Sequence, residues 1–302
     1  MEHILVDYPS IADIGRWFCD EASTLQYLND YGILRTPQQC PFCIKNRIVL
    51  KKNPFIFRCK DCRKEWSSRS GTFFDGCHLD INIIMWIGYL WLGNVPNMTI
   101  LVMFPGLSSA TLVKWIEYWY ELCAVQCTQL EEPIGGEGII VEFDESKFGK
   151  RKFNRGHKVE GVWVVGGVER TPERKMFMIK VADRSEQTMD AIISTYVLPG
   201  SIVHTDLWKG YTENIFEQNG MEHATVNHSL HYKDQDTGVH TNTIEGTWGG
   251  VKQKIGKRHR TEKFIESRLI RFLWERNNKG QRWSMLLFAI KCTVYESEAH
   301  FV

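Results

Sequence analysis

The spacing of apolar residues changes character once along this chain of 302 residues, and that change most limits what it can fold into. Upstream, apolar residues recur at helical intervals or flank paired cysteines. The segment Glu131-Glu-Pro-Ile-Gly-Gly-Glu-Gly138 then breaks the pattern. Beyond it, β-branched runs predict three strands, Ile139–Phe143, Val159–Val168 and Lys175–Val181, separated by turn-like segments as in an antiparallel meander. A helix over Ser185–Tyr196, a strand over Ser201–Thr205, a helix over Tyr211–Asn219 and a short strand over His223–Val226 follow. After a long loop, helices Asn242–Lys254 and Glu262–Asn277 close the region.

The order β-β-β-α-β-α-β-α predicts an α/β (α+β) fold of the RNase H-like kind, a mixed sheet with helices on its faces. In that order the first and fourth strands are neighbours. The first, Gly138-Ile-Ile-Val-Glu-Phe-Asp144, reads as a strand ending in an acid, and the fourth, Ser201-Ile-Val-His-Thr-Asp206, ends in another. Asp144 and Asp206 are therefore expected to meet. A third acid, Glu245, begins the helix Asn242-Thr-Ile-Glu-Gly-Thr-Trp248, and Lys252 lies about two helical turns on, on the same face. Acids on strand ends and on a helix offer hard oxygen ligands for Mg²⁺ or Mn²⁺. A pair of such ions can clamp the attacking and leaving oxygens of a phosphodiester, which points to DNA cutting and joining. Glu142 shares a strand face with Asp144 and is the fallback ligand, whereas Glu145 faces the other way. Asp183 reads as a turn acid, and Asp190, Asp234 and Asp236 read as solvated. His204 shares the strand face of Asp206 and is a candidate site contact. Trp208 and Trp248 read as core residues.

Cys40-Pro-Phe-Cys43 and Cys59-Lys-Asp-Cys62 have fifteen residues between them. Two thiolate knuckles at this spacing, with strand-like segments between, predict a zinc ribbon holding one structural Zn²⁺ on Cys40, Cys43, Cys59 and Cys62. A module this small depends on the metal for much of its folding energy. Cys77 and His78 are left as ordinary residues, because four cysteines already fill a tetrahedral site. The nine cysteines follow no basic leader, so a reducing, intracellular setting is expected rather than a disulfide framework, and the nucleus if the host is eukaryotic.

One or two short helices are expected before residue 36. The most apolar run, Ile81–Leu92, is too short to span a membrane and reads as a buried helix. Asn97–Phe104, a break at Pro105-Gly106 and a helix capped by Ser108 or Ser109 resemble a helix-turn-helix. The expected organisation is an N-terminal helical segment over 1–36, a ribbon over 37–72, a helical region over 79–130, a catalytic domain over 137–280 and a tail over 281–302. Net charge is only +1, so charge bears on nucleic acid through its distribution. Three runs are basic: Arg35–Arg69, Lys147–Lys158 and Thr247–Lys263. Such runs can track a phosphate backbone, and Lys147, Lys150, Arg151, Lys252, Lys254, Lys257 and Arg258 are the candidate DNA contacts near the acids.

Five segments carry a resemblance: Val141-Glu-Phe-Asp-Glu-Ser-Lys147, Trp163-Val-Val-Gly-Gly-Val-Glu-Arg170, Val181-Ala-Asp-Arg184, Pro199-Gly-Ser-Ile-Val-His-Thr-Asp206 and His240-Thr-Asn-Thr-Ile-Glu-Gly-Thr-Trp-Gly-Gly-Val-Lys252. Together with Asn227-His228 they resemble the ISXO-type domain of DDE transposases, the Merlin superfamily and related bacterial insertion sequences. The resemblance implies a catalytic triad of Asp144, Asp206 and Glu245 and a DNA-contacting Lys252. It further implies double-stranded DNA with terminal inverted repeats as substrate. Synapsis of two ends implies a homodimer or larger assembly. A host-retained, catalytically idle DNA-binding or chromatin protein is the alternative, and a plain nuclease a third reading.

Overall fold

The computed structural model describes residues 8–35, 37–51, 55–128, 132–149, 161–208, 210–226 and 238–293. The chain divides into two compact units, Met1–Cys123 with Asn278–Val302, and Ala124–Asn277.

The first unit opens with helices α1 (Ile11–Trp17) and α2 (Glu21–Asp30). The Ser10 hydroxyl accepts the Asp13 N–H at 3.2 Å and the Asp20 carboxylate accepts the Ser23 N–H at 2.7 Å, so each helix starts on a side-chain cap. Strands β1 (Ile48–Leu50), β2 (Ile56–Cys59) and β3 (Glu65–Ser67) form an antiparallel sheet in that order. Helix α3 (Ile81–Leu92) matches the most apolar run, and its Ile81, Ile84, Met85 and Ile87 are wholly buried. At about 1.5–3 kcal/mol for each such side chain, this helix is a main source of the unit's stability. Helices α4 (Asn97–Met103) and α5 (Ser109–Thr128) follow across the Pro105-Gly106 corner. Ser108 is the cap of α5, accepting the Thr111 N–H at 3.0 Å. The helix α10 (Arg282–Cys292) lies in the segment the sequence left as a tail, and its Trp283 indole donates to the Tyr27 hydroxyl at 3.0 Å.

The second unit is built on a five-stranded mixed sheet. A two-residue strand, β4 (Ile134–Gly135), precedes β5 (Ile140–Phe148), β6 (Val162–Glu169) and β7 (Met176–Val181). Then come α6 (Glu186–Tyr196), the short β8 (Val197–Leu198) that pairs with β4, β9 (Ile202–Asp206), α7 (Glu213–Gln218) and β10 (Glu222–Val226). Helices α8 (Asn242–Lys254) and α9 (Ile265–Asn277) complete it. The strand order is β10-β9-β5-β6-β7, with β5–β6–β7 antiparallel and β5–β9–β10 parallel. The first and fourth long strands are thus adjacent, as the RNase H-like order requires. Side chains alternate across the sheet. Val141, Phe143, Val165 and Val203 pack with Met189, Ile193 and Phe216 on one face, and Phe148, Val162, Val164 and Val168 pack with Ile244, Trp248, Val251 and Leu269 on the other.

One boundary differs from the sequence reading. Asp144 does not end its strand, because β5 continues to Phe148. Pairing with β9 stops at Glu142↔His204, while pairing with β6 continues through Asp144↔Gly166 to Phe148↔Val162. Hydrogen bonds along one edge keep a polar-looking stretch extended. Asp144 accordingly lies where the strand loses one of its two neighbours, and Asp206 lies at the true end of β9.

Candidate active site

Helix α8 lies along β5, and the two elements are tied rung by rung. Two residues of strand advance about 6.7 Å and four of helix about 6 Å, so contacts made at one rung nearly repeat at the next. At the first rung the Glu142 carboxylate accepts the Thr243 N–H at 2.7 Å, the Ile244 N–H at 3.0 Å and the Thr243 hydroxyl at 2.9 Å. At the second, the Trp248 indole donates to Asp144 Oδ2 at 2.9 Å. At the third, Lys252 Nζ donates to Ser146 Oγ at 2.5 Å. Glu142, the fallback ligand, is therefore the acceptor for the first amides of α8 rather than a group facing a cleft. It is fully buried, and Arg170 Nε donates to it at 2.6 Å. Arg170 also reaches the His240 carbonyl, closing the loop that leads into α8.

Asp144 is crowded. Burial first, then the neighbouring Glu145 carboxylate and Asp206, push its carboxyl up to about 7, against the hydrogen bonds from the Glu145 amide and Trp248. Extending the β5–β9 register by two residues sets Asp144 opposite Asp206. The Asp206 carboxylate accepts the Trp208 N–H at 3.0 Å. Gly166, the partner of Asp144 on β6, leaves room for the indole: a Cβ there would lie 2.9 Å from the Trp248 ring. Trp248 is thus both a core residue and a donor to the first acid.

Glu245 is exposed on α8, one turn before Trp248, and accepts from the Thr241 hydroxyl at 3.2 Å. Glu245, Trp248 and Lys252 follow one helical stripe. The structure brings Asp144 and Asp206 within electrostatic reach and sets Glu245 on the helix bound to β5. Among the described residues, however, Asp144, Asp206 and Glu245 do not close into a set with all ligand oxygens within 4.8 Å; the four cysteines do. The two aspartates supply hard oxygen donors, and their mutual repulsion is what a divalent cation relieves, so their chemistry fits one.

The other sheet face carries Glu145. Its carboxylate takes Arg184 Nη1 at 2.8 Å and the Tyr211 hydroxyl. His204 is buried; burial first and the Arg170 charge second lower it to about 4, and its Nδ1 has no hydrogen-bond partner among the described residues. Burial and then the Arg260 charge lower the Lys252 pKa, against the pull of Asp144. Lys147 stands 5.1 Å from the Trp163 ring centre, Lys254 pairs with Glu275 at 2.6 Å, and Lys257 and Arg258 are exposed. Lys150, Arg151, Asn227, His228, Asp234 and Asp236 lie outside the described residues. Asp183 lies in the turn before α6, accepting the N–H of the cap residue Ser185 at 2.8 Å. Sequence reasoning missed Arg170, Arg184 and Tyr211. Each is placed by a partner 28, 39 or 66 residues away, which no local pattern encodes.

The ribbon's sulfurs lie within 4.8 Å of one another, with Cys40–Cys62 and Cys43–Cys59 at 3.5 Å. A tetrahedron of Zn–S bonds of about 2.3 Å sets sulfurs about 3.8 Å apart, so the site fits zinc. The two knuckles share one design. Ile44 N–H bonds Cys40 O at 2.9 Å and Arg63 N–H bonds Cys59 O at 3.0 Å, and both residues take φ of 62°. N–H groups of Cys62 and Asp61 lower the Cys59 thiol to about 7, whereas Cys43 is pushed up to about 12 and Cys62 is raised, so without a metal the four sulfurs share protons and Cys59 is the first to become a thiolate.

Among the described residues no helix is long and apolar enough to cross a membrane. The sequence matches the family described as the ISXO2-like transposase domain over residues 127–277. No curated protein matches the chain.

Proposed function

The chain belongs to the ISXO2-like transposase domain family, and on that premise we propose that it is a metal-dependent DNA transposase, cutting and joining DNA at the ends of a mobile element. The observation that carries the reading is the juxtaposition of Asp144 and Asp206 at the release point of β5 and β9, with α8 pinned alongside. Asp144, Asp206 and Glu245 would hold two Mg²⁺ or Mn²⁺ ions. Bound there, such ions supply Lewis-acid activation of the attacking oxygen and charge stabilisation of the leaving one.

The chain's own residues do the rest. Trp248 fixes Asp144 Oδ2 by its indole N–H and the Glu145 amide fixes Oδ1 at 2.7 Å, so the carboxylate is oriented at both oxygens and each keeps a lone pair for the ligand role. The Trp208 amide orients Asp206. Glu142 and Arg170 hold the start of α8, which sets the approach of Glu245. Lys252, at the far end of the same stripe, would hold a phosphate next to the scissile one. Recognition of the terminal repeats falls to the ribbon, with Lys45, Lys60, Arg63 and Lys64 exposed on its knuckles. The helix-turn-helix-like pair α4–α5 offers little for phosphates, since over Asn97–Thr128 its one basic residue, Lys114, is outnumbered by Glu117 and Glu121. Two ends require two active sites, hence at least a homodimer.

The test is strand transfer on linear DNA bearing the inverted repeats that flank the coding sequence, with Mg²⁺ or Mn²⁺. Wild type is expected to nick and join, and Asp206→Asn to bind without doing either. Wild-type rates in Asp206→Asn sink the site assignment. Binding without cleavage by wild type supports an idle DNA-binding protein, and cleavage without joining a plain nuclease.

A further inference from the structure

The end of the sheet that carries Asp144 and Asp206 also carries a cation held between two indoles, on the face away from α8. Trp163 is the second residue of β6, directly across from Lys147 on β5 and from Val181 on β7. Arg184 follows β7, and Trp208 follows Asp206. The Arg184 guanidinium carbon stands 3.8 Å from the Trp163 ring centre and 4.8 Å from that of Trp208. Its Nη1 donates to Glu145 at 2.8 Å, and Glu145 is in turn held by the Tyr211 hydroxyl. Trp208 is steadied by Tyr211, edge-on at 5.2 Å.

A guanidinium packed over two indole rings and ion-paired to a carboxylate at one nitrogen has lost most of its rotational freedom. Yet the Arg184 side chain is 30% exposed, and among the described residues Glu145 is its one hydrogen-bond partner. Among the described residues its remaining N–H donors have no protein partner, and the Glu145 bond and the two rings preorient them. A planar fork in that state suits bidentate capture of a phosphate, because the ordering cost has already been met by the fold. Position supplies the second argument. Trp208 is two residues from Asp206 and donates its amide to that carboxylate. Both Asp144 and Asp206 act on the buried Tyr211 hydroxyl through their charge, as Glu145 does, so the cluster and the two aspartates share one electrostatic neighbourhood. Lys147, 5.1 Å from the Trp163 ring centre, adds a second positive charge at the same rim.

We propose that Arg184, packed over the rings of Trp163 and Trp208, binds a backbone phosphate of the DNA on the α6–α7 side of the candidate active site, with Trp208 as a wall for the adjoining nucleotide. The proposal rests on the transposase reading and deepens it. DNA would then be held from both faces of the sheet, by Lys252 on one and Arg184 on the other, with the aspartates between.

The experiment uses the full-length, zinc-loaded chain without Mg²⁺ or Mn²⁺, so that binding is read apart from cleavage. Anisotropy of a labelled double-stranded oligonucleotide is followed across a NaCl series. Arg184→Gln is expected to weaken binding about tenfold and to flatten the slope of log K against log[salt] by about 0.9, the value for one phosphate contact. Arg184→Lys is expected to restore the slope but only part of the affinity, because the charge returns without the fork. A structural role alone would lower the melting temperature and leave the slope untouched, and an unchanged slope in Arg184→Gln overturns the proposal. A flattened slope in Arg184→Gln, together with a wild-type chain that neither cuts nor joins DNA once Mg²⁺ or Mn²⁺ is added, overturns the transposase reading and leaves Arg184 as a DNA contact.

Discussion

Replacing Glu142 tests how the candidate site is held together. Its side chain is wholly buried, and each carboxylate oxygen accepts two hydrogen bonds, with His240 Nδ1 also 3.3 Å from Oε1. Oε1 takes Arg170 Nε at 2.6 Å and the Thr243 hydroxyl at 2.9 Å, and Oε2 takes the amides of Thr243 and Ile244 at 2.7 and 3.0 Å. Glu142→Ala removes a helix cap, worth about 1 kcal/mol. It also strands Arg170, whose side chain is 18% exposed, and breaking a buried ion pair costs about 3–5 kcal/mol. The terms overlap, so the expected total is about 4 kcal/mol. Glu142→Gln is the sharper probe. Either orientation of its amide points an NH₂ at Arg170 or at two backbone N–H groups, so Gln is expected to cost nearly as much as Ala, about 3 kcal/mol. Urea denaturation of the zinc-loaded chain gives the cost, and amide exchange at Thr243 and Ile244 locates it. A loss below about 1 kcal/mol, with those two amides still protected, would refute the assignment of Glu142 as the anchor of α8.

The raised Asp144 pKa fixes a pH dependence. The native state binds this proton more tightly than the unfolded chain does, so the group's contribution to stability falls as pH climbs from about 4 to about 7, by at most about 4 kcal/mol. Asp144→Asn is therefore expected to gain on wild type through that window and no further above it, as read from melting temperatures in a pH series; a difference flat with pH contradicts this. Chelating zinc, or Cys59→Ser, is expected to abolish amide protection over Ile48–Ser67 while leaving β5–β9 protected, with one zinc per chain by native mass spectrometry before treatment. Gly166→Ala is expected to cost about 1–3 kcal/mol, because the new methyl meets both the Trp248 ring and the Phe177 carbonyl at 3.1 Å, and to shift Trp emission.

Much of this architecture was legible from local patterns because local patterns determine it. The two cysteine pairs set their own knuckles, and the uncharged run at Ile81–Leu92 can only be buried. The interval between Glu245 and Lys252 places both on α8 without reference to anything else. What escaped reading was set at a distance. Glu145-Ser-Lys-Phe148 looks like the start of a loop and stays extended because β6 pairs with it. Glu142 looks like a ligand because nothing near it in sequence reveals that its partners are Arg170 and the first amides of α8. Trp248 was read as core, and it is, but its indole N–H has an address that only the packing against Gly166 defines. Residues Arg282–Cys292 carry a helical pattern short enough to pass for a tail.

The unequal anchorage of the three acids has a mechanical consequence. Asp144 and Glu245 belong to elements bolted together at successive points along their length, and they travel as one piece. Asp206 is bonded across to β10, where Val226 faces it, but β9 has already parted from β5 two residues earlier. If the three acids hold cations, any adjustment between them would fall on the unpaired seam between β5 and β9 rather than on the joint between β5 and α8.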